Sequence, residues 1–334
     1  MKFIQVGVGG FGAGWVERIV ADATASHVAL VDINEEALDR ARRLTDIPAE
    51  KCYADYHAAF EQVEADAVLC VTPPAVHHEV ALAAFARGMH VLTEKPLADS
   101  MAQARQMVGA AETAGKTLMV SQNYRFHPWI RTIQRLLDSA QFGPPDNILV
   151  RFAKAPRFEG SFRLKMEHPL VYDMSIHHFD MMRALTGREP LSVYAETWRP
   201  RWSWFDHDPC CVAVFQFEGD LRVVYHGSWV ARGPETSWGA YWQAECPDAI
   251  VELRDDQVHM VFADHPEQDT EVEMQKMPAS GQEYSLFEFQ RAIQQKREPE
   301  TNGRDNLRSL AMVFAVTQSA REGRPVSIES VLEA

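Results

Sequence analysis

Cysteine is scarce in this 334-residue chain. Cys52, Cys70, Cys210, Cys211 and Cys246 make an odd number, two of them adjacent, and none belongs to a C-x-x-C pair. That excludes a disulfide framework and a zinc ribbon, and it fits reduced core thiols in a cytoplasmic protein. Long apolar runs are also missing. No stretch reaches the roughly 18 residues needed to cross a bilayer. Glycines interrupt "VGVGGFGAGW", where a signal peptide would need an unbroken apolar core. Positive charge is in deficit, with 33 Lys and Arg against 47 Asp and Glu, for a formal charge of −14. This argues against nucleic acid or a membrane as partner, though not against a small anionic ligand. Internal repeats and low-complexity segments are absent. What remains is an ordinary globular composition, long enough for two domains of roughly 150 residues each.

Two rhythms divide the chain. Up to about residue 120, short apolar strands such as "KFIQVGVG", "HVALVDIN", "ADAVLCVTPP" and "HVLTEKP" alternate with helical stretches. Continuous apolar strands separated by helices predict a parallel sheet covered on both faces. Farther on, "NILVRFAKA", "LSVYAETW", "CCVAVFQF", "LRVVYHGSW", "AYWQAEC" and "EVEMQK" alternate or nearly so. That is the pattern of a large open, mostly antiparallel sheet with one exposed face. A helix carrying "HPLVYDMSIHHFDMMRALTG" interrupts these strands and ends at Gly187, a C-cap glycine. Two helical segments close the chain. The expected fold is therefore α/β: a doubly wound parallel domain over residues 1–122, then an α+β domain over 123–334.

Gly7, Gly9 and Gly12 form G-x-G-x-x-G between the first strand and the first helix, with Gly10 and Phe11 inside the loop. The first glycine suits a tight turn, the second lets backbone approach a pyrophosphate, and the third lets helix and strand pack closely. The helix N-terminus then offers unpaired N–H groups to the phosphates. Glycines also serve plain turns, so context decides. Asp32 ends the second strand about 20 positions past the last glycine, where a carboxylate accepts ribose hydroxyls and repels a 2′-phosphate. The loop is expected to hold a dinucleotide, NAD in preference to NADP.

"TPPAVHHE", "TEKPLA", "NYRFHP" and "YDMSIHHFDMMRALTG" follow the loop in that order. Together they resemble the glucose–fructose oxidoreductase/inositol dehydrogenase (Gfo/Idh/MocA) family, and the resemblance runs over essentially the whole chain. It implies a Rossmann domain, then a domain whose open sheet makes subunit contacts. By position it makes Lys95 the catalytic lysine and Asp173 and His177 the D-x-x-x-H pair. It also places Thr72, Pro73, His77, Glu94 and Asn123 along the cofactor, with Lys95. Where many members have a glycine-rich stretch before the D-x-x-x-H helix, this chain has "MEHPLVYD", so Met166, Glu167, His168 and Tyr172 would reshape its substrate pocket. Arg157 and Tyr172 join Lys95, Asp173 and His177 as expected substrate contacts.

The implied chemistry is consistent with those residue types. Oxidising a secondary alcohol needs a base near neutral pH and a cationic donor for the developing alkoxide. Imidazole titrates near pH ~6.5, which suits His177. Asp173, at i and i+4 with it, would orient the ring or bond the substrate. Lys95 would steady the hydroxyl oxygen. His178 points about 100° away around the helix and reads as a secondary or packing residue, and Asp180 reads as structural. The clusters "HHE", "HHFD" and "DHD" lack metal-ligand spacing, so no metal is expected.

Six tryptophans fall between 198 and 242. Most suit sheet core or an interface, but the 199–208 loop, with Arg199 and Arg201, is expected near the site. The function so indicated is an NAD-dependent dehydrogenase acting on a small polyhydroxy substrate, assembled as a homodimer or homotetramer through the C-terminal sheet. The alternatives are a reductase of another carbonyl or unsaturated substrate, and a dinucleotide-binding regulator without turnover.

Overall fold

The architecture is that of a computed structural model describing residues 1–139 and 141–334. It divides into two compact units, residues 1–122 with 282–307 and residues 123–281 with 308–334.

In the first unit the expected alternation is realised element by element. It runs β1 (Lys2–Val6), α1 (Phe11–Ala21), β2 (Ser26–Val31), α2 (Glu35–Thr45), β3 (Cys52–Tyr53), α3 (Tyr56–Gln62), β4 (Ala67–Cys70), α4 (Pro74–Ala86), β5 (His90–Thr93), α5 (Met101–Ala114) and β6 (Leu118–Val120). The strands form one parallel sheet in the order β3-β2-β1-β4-β5-β6. All four residues of β4 are buried, as a strand covered on both faces requires. Local signals set the helix ends. Asn34 caps α2 by accepting from the Ala37 amide at 3.0 Å, Ser100 caps α5, and Gly115 closes α5 in the left-handed region. The strand order reverses at β1 and β4, the switch point where such sheets bind ligands.

The expectation of one continuous second domain over 123–334 is corrected. Residues 282–307 pack in the first unit, where the Thr301 carbonyl accepts from the Val120 amide at 2.9 Å and Phe289 meets Phe3 with ring centroids 6.1 Å apart. An isolated bridge to the edge strand β6 and an apolar helix face reward this return, but both contacts are made across long chain separations.

The second unit holds α6 (Pro128–Asp138), β7 (Asn147–Ala153), α7 (Ile176–Thr186), β8 (Pro190–Trp198), β9 (Cys210–Phe217), β10 (Arg222–Ser228), β11 (Tyr241–Glu245), β12 (Ala249–Arg254), β13 (Gln257–Phe262) and β14 (His265–Glu271), with β15 (Val326–Ser327) near the end. They form a nine-stranded sheet in the order β14-β13-β12-β11-β7-β10-β9-β8-β15. Its pairings are antiparallel except β10 with β7. The strand expected over "EVEMQK" instead ends at Glu271, in the exposed edge strand β14. One face of the sheet is buried. Phe179 of α7 packs there against Phe215 and Tyr225, at 5.0 and 5.2 Å between centroids. Val223 belongs to this covered face, whereas Val212, Val214 and Val224 alternate onto the other. No helix among the described residues is long and apolar enough to cross a membrane.

Candidate active site

In the first unit, the glycine loop fills the turn from β1 to α1. Gly7 has φ 89°, and a Cβ on it would stand 2.3 Å from the Val71 carbonyl oxygen at the exit of β4. A Cβ on Gly12 would stand 2.3 Å from the Gly7 carbonyl oxygen. The first and third glycines are thus demanded by internal packing. Gly10 is different. It opens α1 at φ 51° with nothing within 4 Å of a would-be Cβ, no side chain caps the helix, and its first turn carries no acidic residue. Beside it Phe11 is exposed. The positive end of α1 therefore faces open space, as an anionic ligand requires.

Asp32 does more than its spacing suggested. Its Oδ2 accepts from the Val8 and Gly9 amides, both at 2.9 Å, and its Oδ1 accepts from Asn34 at 2.9 Å. Three backbone donors hold the carboxylate in place and shape the loop, while lone pairs remain for a ligand. A dinucleotide fits this arrangement, and the remaining loop amides, the α1 terminus and Asp32 would hold it.

The expected cofactor-lining residues divide into those at the surface of the unit and those spent inside it. Thr72 is half-buried and Pro73 exposed, at the start of α4. His77 is fully buried, its Nδ1 2.9 Å from the Pro96 carbonyl oxygen and its Nε2 2.9 Å from that of Thr72. Both ring nitrogens face carbonyl oxygens of the protein, one of which accepts from the neutral ring, so His77 presents no ring nitrogen to a ligand. Burial pushes its pKa down. Glu94 is likewise an internal hub. Its Oε1 accepts from Trp15 Nε1 at 2.8 Å and from Gln282 Nε2 at 3.3 Å, and its Oε2 accepts from the Lys95 amide at 3.2 Å. Burial pushes this carboxyl up, against the donors. Lys95 follows, half-buried, and its bond to Pro96 is cis.

In the second unit, Asn123 begins a 3-10 turn that runs to Phe126, and it is half-buried. His177 sits in the first turn of α7, 5 % exposed, with the Tyr124 ring against it at 4.4 Å between centroids. Asp173 lies in a π-helical turn, Val171–Ser175, that leads into α7. Arg163 reaches this carboxylate, Nε to Oδ2 at 2.5 Å and Nη2 to Oδ1 at 3.3 Å. His168, in the segment "MEHPLVYD", has φ 44°, the left-handed conformation that glycine adopts without strain.

Tyr172 turns to the closing helix α8 (residues 303–322). Its ring packs on Phe314 at 5.9 Å and its hydroxyl lies 3.5 Å from that of Thr317. Arg157 is exposed and lies over the Trp204 ring at 4.0 Å. Trp204 Nε1 donates to the Pro156 carbonyl at 3.0 Å, and the Asp206 amide to that of Leu164 at 2.9 Å. The 199–208 loop thus lies along the 154–165 loop, which carries Arg163 to Asp173.

His178 and Asp180 are structural. The His178 ring is fully buried, with Nδ1 3.1 Å from the Tyr225 hydroxyl and Nε2 3.3 Å from the Trp238 carbonyl oxygen, and burial lowers its pKa to about 4. Asp180 accepts two bonds from Arg125, at 2.5 and 2.7 Å, and one from Ser309 at 2.6 Å. Arg163, Tyr124, Trp15 and Gln282 escaped the sequence reading. Tyr124 stands inside the motif "NYRFHP" but its place against His177 does not follow from it, and the others act through partners far away in the chain.

A doubly wound parallel sheet with an open helix terminus and an acidic residue at its switch point defines a dinucleotide-binding protein. Residues 1–122 match the profile of the oxidoreductase family with an NAD-binding Rossmann fold, and residues 130–245 match the Gfo/Idh/MocA C-terminal domain. The chain belongs to the Gfo/Idh/MocA family of oxidoreductases. It is 31 % identical to an uncharacterised protein of Sinorhizobium fredii, over 99 % of this chain and 97 % of that one. It is 29 % identical to D-apiose dehydrogenase of Paraburkholderia graminis, over 92 % and 84 %. An oxidoreductase from Agrobacterium radiobacter, solved with NAD+, L-tartaric acid and magnesium, shares the fold with a TM-score of 0.89 at 22 % identity, over 99 % of each chain.

Proposed function

We propose that this chain is an NAD-dependent dehydrogenase that oxidises a secondary alcohol of a sugar, polyol or inositol, with Lys95 and His177 handling the proton. The observation that carries this reading is His177, a nearly buried imidazole packed on Tyr124, four residues after a carboxylate held by an arginine. A regulator that binds dinucleotide without turnover has no need of such a group. The dehydrogenase name of the Paraburkholderia relative supports the same reaction class. Bound NAD supplies the hydride acceptor. The chain's own residues do the rest: His177 accepts the hydroxyl proton, Lys95 donates to the developing alkoxide, and Asp173 bonds the substrate.

Asp32 supports NAD over NADP, because a 2′-phosphate would meet its carboxylate. Of the nearby arginines, Arg40 lies 3.9 Å from Glu36 and Arg42 3.4 Å from Asp39 on the same helix, while Arg43 is exposed. The test is a screen of sugars, polyols, inositols and sugar acids, followed through the absorbance of the reduced nicotinamide with either cofactor. Turnover with NAD well above that with NADP is expected. Equal or better turnover with NADP contradicts the Asp32 argument, and no turnover on any substrate returns the chain to the regulator class.

The outer face of the nine-stranded sheet supports a homo-oligomer. Tyr194, Val214, Val224 and Leu149 stand side by side across four strands, and the first, second and fourth are 38 %, 41 % and 37 % exposed. An apolar row of this kind suits a second copy of the chain. Light scattering at micromolar concentration should give a dimer or tetramer mass, and Val214→Lys should shift it towards monomer. A monomeric wild type would refute the assignment.

A further inference from the structure

Arg163 is held more firmly than an ordinary surface cation. Its guanidinium clasps both oxygens of Asp173, and the two side chains are only 30 % and 17 % exposed. Its Cζ lies 5.3 Å from the centre of the Phe158 ring and 5.1 Å from that of Phe162. These aromatic faces favour a cation and fix its plane. The Leu164 carbonyl is tied in turn to the Asp206 amide at 2.9 Å, so the short turn carrying Arg163 is anchored. On the other side, Asp173 stands four residues before His177, in the π-helical turn that leads into α7. Burial chiefly, then the charges of Asp256 and Asp173, push the Tyr124 phenol up, and the Tyr124 ring lies on His177 at 4.4 Å.

We propose that Arg163 is a positioning residue, which holds the Asp173 carboxylate in one orientation and offsets its negative charge beside His177. The inference rests on the reading of Asp173 and His177 given above. A clasp through two parallel N–H bonds uses one lone pair on each oxygen and leaves the others directed away from Arg163. It also stops the carboxylate from rotating. Without the guanidinium, the bare Asp173 charge would favour the protonated imidazole, which cannot accept a proton. The titratable and charged groups of this unit near His177 include Asp173 in the preceding π-helical turn, Arg163 on the loop, Tyr124 on its ring, and His127 and Asp256 beyond Tyr124. Variants at 163 and 173 leave the last three unchanged.

The test is an NMR titration of the His177 ring in the full chain, with its signal assigned by its loss in His177→Gln. In Arg163→Gln the ring should titrate about one pH unit higher than in wild type. Arg163→Lys, which keeps the charge and guards against a folding artefact, should restore most of the wild-type value. In the double variant Arg163→Gln/Asp173→Asn the rise should disappear, because no carboxylate is left to neutralise. A purely structural role would move none of these values in that pattern. An unchanged ring titration in Arg163→Gln, or a rise that persists in the double variant, overturns the inference. Failure of the proposed function is visible separately, as a wild type without turnover, because the titrations require no substrate.

Discussion

Lys95→Met is expected to lower kcat by about 10²- to 10⁴-fold, far more than it weakens NAD binding, and His177→Ala should fall in the same range. Methionine matches the reach of lysine but cannot donate to an alkoxide, and alanine removes the base. If these groups act chiefly in the transition state, the loss appears in kcat and not in ground-state binding. Oxidation by the wild type should also decline as pH falls through the titration of His177, since an imidazolium cannot accept the hydroxyl proton. Stopped-flow turnover and calorimetric NAD binding on the same preparations check both statements. An active His177→Ala enzyme would send the search for a base elsewhere. His178 provides an instructive contrast, because its ring is a core element bonded to Tyr225 and Trp238. Its replacement should reduce resistance to unfolding more than it reduces the chemical step.

Asp180→Asn should destabilise the second unit by about 3–5 kcal/mol, the usual cost of removing one partner of a buried ion pair. The Arg125 side chain is 9 % exposed and that of Asp180 1 %, so the guanidinium would be left charged and desolvated. An asparagine retains the shape of the side chain and can accept from only one of the two donors. The network is wider than one pair. Ser309 donates to Asp180 and accepts from Arg183 at 2.9 Å, and Arg183 in turn donates twice to Glu189 at 2.9 Å. The substitution therefore loosens the 3-10 turn at Asn123–Phe126, α7 and α8 together. Urea unfolding followed by amide hydrogen exchange in those elements measures it. A change below about 1 kcal/mol would mean that the pair is not what joins them.

Much of this protein is local in character and therefore legible in its order of residues. The glycine loop, Asp32 at the end of β2, the apolar strands of the parallel sheet and the alternating strands of the second sheet all follow from spacing along the chain. Side-chain direction repeats every two residues in a strand and every 3.6 in a helix, so burial leaves its mark on the sequence. Even the caps at Asn34, Ser100 and Gly115 act within four residues. What spacing does not contain is the choice of distant partners. Lys95 could be singled out, but not the buried Glu94–Trp15–Gln282 contacts that precede it in the fold. His77 was recognisable as part of the region, whereas its two carbonyl partners, which take its nitrogens away from any ligand, were not. Asp173 and His177 stand four residues apart in the sequence, yet the arginine on the first and the tyrosine on the second come from other segments. The return of residues 282–307 to the first unit is of the same kind. Hydrogen-bond and ring partners are selected by three-dimensional closeness and by the cost of leaving a buried polar group unmatched, and neither imposes a period on the chain.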